Sequence, residues 1–343
     1  MRPPLLLAAL AAALVVLTVI AAGQGAYPIS SRRVLALLGQ GWPAGHGDAA
    51  GAVLWTLRLP RVLLAAAVGA SLGMAGAALQ GLFRNPLADP GLIGVSSGAA
   101  LVVALLVVFG PLWRPTLADA QWLALQPAGA FAGGLTATWL VYLLGRADGG
   151  VSAAAMLLGG IAVNALALAG IGLASYLATD AQLRNLTFWS LGSLSSAGWP
   201  MLALVALAGL PALLGLGALA PALNALALGE AEARHLGLAV ERTKALVVLF
   251  GALAVGAAVA FCGVISFLGL VAPHCMRLLA GPDARVVLPG AALLGAILAV
   301  GADTLARTLV APAELPIGVL TALVGAPFFL GLLVQARQRL VLP

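Results

Sequence analysis

Long apolar runs, each about 20 residues and so long enough to cross a bilayer as a helix, alternate along this chain with short polar or proline-broken stretches. Only a helix satisfies its own backbone in hydrocarbon, so each run predicts one spanning helix. About ten are expected, near Pro4–Ala22, Pro60–Phe83, Leu92–Phe109, Gln121–Leu144, Ala153–Leu173, Pro200–Ala220, Thr243–Cys262, Ile265–Leu279, Arg285–Ala302 and Pro316–Gln335. The eighth and ninth are short. The first follows Arg2 and precedes small residues, as a signal peptide would, but its apolar run is long for one and reads as an uncleaved span. Small residues recur through the second run, VGASLGMAGAALQG, a pattern that lets helices approach closely in lipid. No soluble domain, repeat or low-complexity linker interrupts the series, so residues 1–343 read as a single all-α membrane domain.

Composition changes the picture in one respect, by excluding a soluble fold. Hydrophobic residues make up 62% of the 343, charged residues 8%, and the mean hydropathy is +1.11. Such a chain cannot cover a water-facing surface, and lipid is its main solvent. The net charge of +6 rests on arginine, because Lys244 is the single lysine. These cations are scattered, which argues against nucleic acid as a partner. An even number of spans puts both termini on one side, and Arg2, Arg337 and Arg339 make that side cytoplasmic by the positive-inside bias. The outward arginines, Arg32, Arg33, Arg58, Arg61, Arg114, Arg184 and Arg307, weaken the bias and call for a reason.

No catalytic constellation is present. The chain lacks a phosphate loop, HExxH, GxSxG or a carboxylate pair within a span, and Cys262 and Cys275 have no zinc-like spacing. His274 reads as a helix-end histidine bonded to backbone, and no residue is expected to be catalytic, metal-ligating or cofactor-binding. The interruptions carry more. Leu223–Lys244 alternates small apolar residues with Glu230, Glu232, Arg234, His235, Glu241 and Arg242, and Gly229 and Gly237 divide it into short helices, the shape of an inner docking element. In GLFRNPLADPGLIGVSSGA, residues 81–99, Asn85-Pro86 and Asp89-Pro90-Gly91 stop one span, and small residues start the next, a turn able to constrict a passage. Gly149–Ala155, with Ser152, could stand opposite it. On the outer side, Tyr176–Pro200 predicts a short helix capping a passage, with its gating part over about 176–197.

These residues resemble the FecCD family, the permease subunits of ABC importers for haem, ferric siderophores and vitamin B12. The likeness is carried by LRLPRVLLAAAVGASLGMAGAALQGLFRNPLADPGLIGVSSGA, by GEAEARHLGL with FLGLVAPHCMRLLAGPDARVVLPG, and by ADTLARTLVAPAELPIGVLTALVGAPFFLGLL. It implies a type II ABC importer permease with about ten transmembrane helices, paired with a second copy of itself around a passage on the two-fold axis. Two cytoplasmic ATPase subunits, holding ATP and Mg, would lie below, and one periplasmic binding protein above, in the bacterial inner membrane. Carried over by position, the resemblance implies docking of the binding protein at Arg58, Arg61 and Arg307. It implies ATPase coupling through Gly229, Glu230, Arg234 and Gly237. It puts a cytoplasmic gate at Asn85 and Leu87, with a second layer at Ser152 and Ala153. The candidate passage contacts are Gln80, Met156, Asn164 and Arg184. Mostly apolar or small passage residues suit a large, flat, partly apolar cargo, and LRNLTFWSLGSL looks most like the family's haem permeases. Haem is the expected cargo, with a ferric siderophore or vitamin B12 as alternatives. An ion-driven secondary transporter would need an acidic or histidine relay within the spans, and an intramembrane enzyme would need paired groups at one depth; neither can be assembled.

Overall fold

A computed structural model describes residues 3–41, 48–112, 119–147, 150–311 and 313–341. His46 and Arg114 lie outside the described residues. The chain is a helical bundle: α1 (Pro3–Gly23), α2 (Ser31–Gln40), α3 (Ala49–Val53), α4 (Leu59–Leu82), α5 (Val95–Phe109), α6 (Asp119–Leu144), α7 (Ala153–Leu177), α8 (Asp180–Ser190), α9 (Trp199–Ala218), α10 (Ala220–Ala227), α11 (Glu230–His235), α12 (Val240–Cys262), α13 (Leu268–Ala280), α14 (Ala284–Ala306) and α15 (Ile317–Val341). A two-residue hairpin, β1 (Arg146–Ala147) and β2 (Gly150–Val151), pairs antiparallel between α6 and α7.

Among the described residues, eight helices are long and apolar enough to cross a membrane; Leu268–Ala280 and Ile317–Gly331 are shorter apolar helices. Together they account for the ten predicted runs. "Inner" here means the end at which α1 begins. Helix ends that the alternation assigns to one side do meet: Arg277 of α13 with Gln80 of α4 at the inner end, and Arg61 of α4 with Asp303 of α14 at the outer end.

Several boundaries differ from the sequence reading. The ninth span was predicted to stop at Ala302, before a charge, yet α14 continues to Ala306 because Asp303 is buried and ion-paired rather than hydrated. The second was predicted to start at Pro60, yet helix runs from Ala49 through a π-helical turn at Leu54–Arg58 into α4, with Pro60 tolerated in the first turn. α13 starts only at Leu268, after Phe267 adopts φ 67°.

The core is built around α4 and α12, whose apolar windows are the most buried of the spans, while α1 and α7 are largely peripheral. α4 packs on α14, α12, α13 and α9. Its small residues are seams: a Cβ on Gly69 would strike the Gly295 carbonyl, on Gly73 the Ala291 carbonyl, and on Gly76 the Gly269 carbonyl. His274 is not a helix-end residue. It lies within α13, edge-on to Phe328 at 6.2 Å between ring centroids, and its buried Nε2 has no partner among the described residues.

Candidate functional site

The polar residues collect at the two ends of the bundle, and each end is assembled from segments distant in sequence. At the inner end, the turn after α4 is held by its own side chains. Asn85 Oδ1 accepts from Leu87 N (2.9 Å) and Asp89 Oδ1 from Gly91 N (2.8 Å), the latter capping a 3-10 turn over Pro90–Ile93. Burial raises the Asp89 carboxyl above its usual range, partly offset by that backbone bond. Gly94, at φ 85°, then starts α5. Asn164 of α7 clasps this turn, donating to Gly91 O (3.1 Å) and accepting from Ser97 Oγ (2.5 Å). Leu87 is exposed.

Gly229 (φ 121°) and Gly237 (φ 82°) bracket α11, as their spacing predicted, and both conformations suit glycine. Asn224 of α10 ties this segment to α14: its Nδ2 donates to Asp283 Oδ1 (2.6 Å), and its Oδ1 accepts from Ala284 N (2.8 Å). The Asn224 contact chiefly, with Arg285 N donating to the same carboxylate, holds Asp283 below the usual carboxylate range. Glu230 Oε2 accepts from Lys244 Nζ (2.7 Å), and exposed Arg234 lies 3.5 Å from Glu230 and 3.3 Å from Glu241. Ser152 caps α7, accepting from Ala155 N (3.3 Å) beside Ala153, one residue after Val151.

At the outer end, Arg58, Arg61 and Arg307 do converge, but on internal partners rather than on open surface. Arg61 Nε donates to both Asp303 oxygens (3.0 and 3.2 Å), and its two terminal nitrogens grip Glu314 (2.8 and 3.0 Å). Arg307, 6% exposed, donates to the carbonyls of Gln24 (2.7 Å) and Ala21 (2.5 Å) at the end of α1, and its Nε lies 3.4 Å from Asp303. Arg58, 9% exposed, donates to Tyr27 O (3.4 Å), and its Nη1 has no partner among the described residues. Burial lowers the Arg307 pKa to about 10, so it remains a cation at neutral pH. Arg61 holds Glu314 below its usual value of 4.5. A depressed carboxylate stabilises above its ordinary pKa, so this pairing persists at neutral pH and is lost as pH falls through the lowered value.

The candidate passage contacts separate. Gln80 is buried and accepts from Arg277, whose other terminal nitrogen donates to Ala77 O (3.3 Å). Met156 is buried against Gly145, on the α6-facing side of α7. Asn164 is taken up by the inner turn, and Arg184 is exposed on α8. α8 itself is fixed by a capping box between Thr179 and Gln182, and Gln182 Nε2 donates to the carbonyls of Val107 and Val108 (3.0 and 3.1 Å) at the end of α5. From its last residue, Ser190, an open groove of about 570 Å³ runs down the outer half of α15, walled by Leu191, Val264, Ser266, Gly318, Ala322, Ala326 and Leu330. Sequence reading missed this groove and the Lys244 bonds. The one legible signal was a lone lysine three residues after Glu241 at the start of an apolar run.

Comparison with known proteins gives the same picture throughout its length. Residues 13–335 match the FecCD transport family. The chain is 46% identical to the hemin transport system permease protein HmuU of Yersinia pestis, covering 98% of each chain. It is 42% identical to the vitamin B12 import system permease protein BtuC of Serratia proteamaculans, covering 87% of this chain and 86% of the relative. A solved metal-chelate type ABC transporter in an inward-facing conformation superposes with a TM-score of 0.84 at 33% identity, covering 97% of this chain and 99% of the other.

Proposed function

We propose that this chain, which belongs to the FecCD transport family, is the membrane-spanning permease of an ATP-driven importer and that its cargo is haem. The observation that carries the cargo is the likeness to a hemin permease over 98% of both chains, higher and longer than the likeness to the vitamin B12 permease. The groove on α15 supports it: walls of leucine, valine, alanine and proline with two serines suit a flat, partly apolar molecule better than a bare ion. Vitamin B12 is the second reading, favoured by that permease at 42% identity, and a ferric siderophore the third.

In this reading two copies enclose the passage, and alternating access is driven by ATP hydrolysis on cytoplasmic partner subunits, which hold the Mg and nucleotide; the permease itself is no enzyme and holds no cofactor. The ATPase contributes the free-energy difference between inward- and outward-facing states. Glu230 and Arg234, between Gly229 and Gly237, receive that input. Asn85 and Leu87, with Ser152 and Ala153, close the inner end, and α8 stands over the outer end of the groove. Both termini lie in the cytoplasm of a bacterium whose inner membrane holds the chain.

The deciding experiment reconstitutes the permease in liposomes with its ATPase and binding protein and measures uptake and ATPase stimulation by haem, a ferric siderophore and cobalamin in parallel. Haem alone is expected to be carried; transport of another chelate instead retires haem and keeps the importer.

A second outcome concerns docking of the binding protein. Its carboxylates would have to compete with Glu314 for Arg61, because Glu314 already occupies both terminal nitrogens. Glu314→Gln should therefore tighten docking roughly two- to fivefold, the scale of a partly exposed ion pair, and more at low salt. An unchanged affinity in a low-salt titration removes Arg61 from the interface.

A further inference from the structure

We infer that Lys244 is the strut through which the ATPase-facing segment moves the inner end of α7, a positioning role that rests on the importer reading above. Lys244 is 4% exposed. An ammonium has three N–H donors and no acceptor, and here three acceptors stand on three separate segments: Glu230 Oε2 of α11 (2.7 Å), Val151 O of β2 (2.5 Å) and Glu241 Oε1 of its own helix (3.4 Å). Glu241 closes the loop, its Oε2 accepting from Val151 N at 2.6 Å. Both backbone groups of Val151 are therefore held by one ion pair, a buried ammonium and a partly exposed carboxylate.

What Val151 leads into gives the link its consequence. The next residue, Ser152, caps α7, and its N–H donates to Gly145 O (2.8 Å), closing the hairpin that joins α6 to α7. Gly150 sits at φ 122°, a conformation that favours glycine, and lies against the Glu241 carboxylate, which a Cβ there would meet. The hairpin is thus shaped to fit the ion pair. Pulling the carboxylates away would leave the buried Lys244 ammonium uncompensated, so the connection resists stretching better than a pair exposed on both sides would. α11 has a second, looser route to the hairpin through Arg234, which lies 3.3 Å from Glu241 but is half exposed, where Lys244 is buried and bonds the hairpin directly. A displacement of α11 reaches Ser152 through Lys244.

The test uses the complete importer in liposomes and reads cargo moved per ATP hydrolysed. Lys244→Met should lower that ratio about tenfold, within the usual range of coupling energies between sites. Lys244→Arg keeps the charge but not the three-point geometry and should recover part of the loss, as should Glu241→Gln, whose amide oxygen can still accept from Val151. Labels at exposed Arg146 and Leu236, on a Cys275→Ser background, report the link directly by pulsed electron spin resonance. The wild type should give one narrow distance that persists through the ATP cycle, and the variants a broadened one. A wild type that carries cargo together with variants that keep both the ratio and the narrow distance overturns the strut; a wild type that carries none of the three cargoes overturns the importer reading instead. If Lys244→Met fails to assemble, Lys244→Arg and Glu241→Gln decide by the same two readouts.

Discussion

Asp303→Ala is expected to cost this protein about 3–5 kcal/mol of stability, the scale for removing one partner of a buried ion pair. Asp303 is 1% exposed, and two guanidinium groups depend on it: Arg61, with contacts at 2.9–3.2 Å, and Arg307, at 3.4 Å. Neither arginine can withdraw into water. Arg307 is anchored on the carbonyls that end α1, and Arg61 is pinned beside Arg58, which brings a third cation into the same cluster. Truncation leaves these cations facing one another with only Glu314, at the exposed rim, to balance them. Thermal unfolding in detergent checks this, and Asp303→Asn, which keeps the shape and loses the charge, separates electrostatics from packing. A loss below about 1 kcal/mol would mean the cluster behaves as a solvated surface pair.

Gly76→Val should be comparably damaging, at about 3 kcal/mol or more, the upper end of overpacking costs. Overpacked side chains usually escape by rotating, but the atom that a Cβ at Gly76 would meet is the backbone carbonyl of Gly269, with the Gly269 carbon and Cα just behind it. Relief requires α4 and α13 to separate along their length. In lipid that loss is not offset by a hydrophobic gain, because helix association there depends on close packing. Gly172→Ala is the control, since nothing lies within 4 Å of the added carbon. The yield of monodisperse protein and its melting temperature should fall for the first and hold for the second.

The spans were legible because hydropathy and length are local properties, and so were the breaks at Gly229 and Gly237, where the residue type itself permits the conformation. Errors arose where a charge was read as hydrated. Asp303 looked like a helix end, and Arg58, Arg61 and Arg307 looked like surface cations, because their partners lie up to 286 residues away and periodicity carries no such information. Lys244 went unread for the same reason: Val151 is 93 residues distant, and its main-chain oxygen has no signature in sequence. The FecCD motifs named positions, but resemblance could not say which side chains are free and which are already engaged.

The contact between α4 and α14 has a mechanical meaning. Carbonyls of Ala291 and Gly295 seat into the notches left by Gly73 and Gly69, and the carbonyl of Gly69 seats in turn against Gly295. Rack and pinion mesh in this way: neither helix can slide or roll past the other without a carbonyl climbing over an α-carbon. The pair is therefore an interlocked unit that moves as one. In the importer proposed above, a change of access would swing around it, and the two ends of the bundle, where the charged residues gather, are where that swing would be felt.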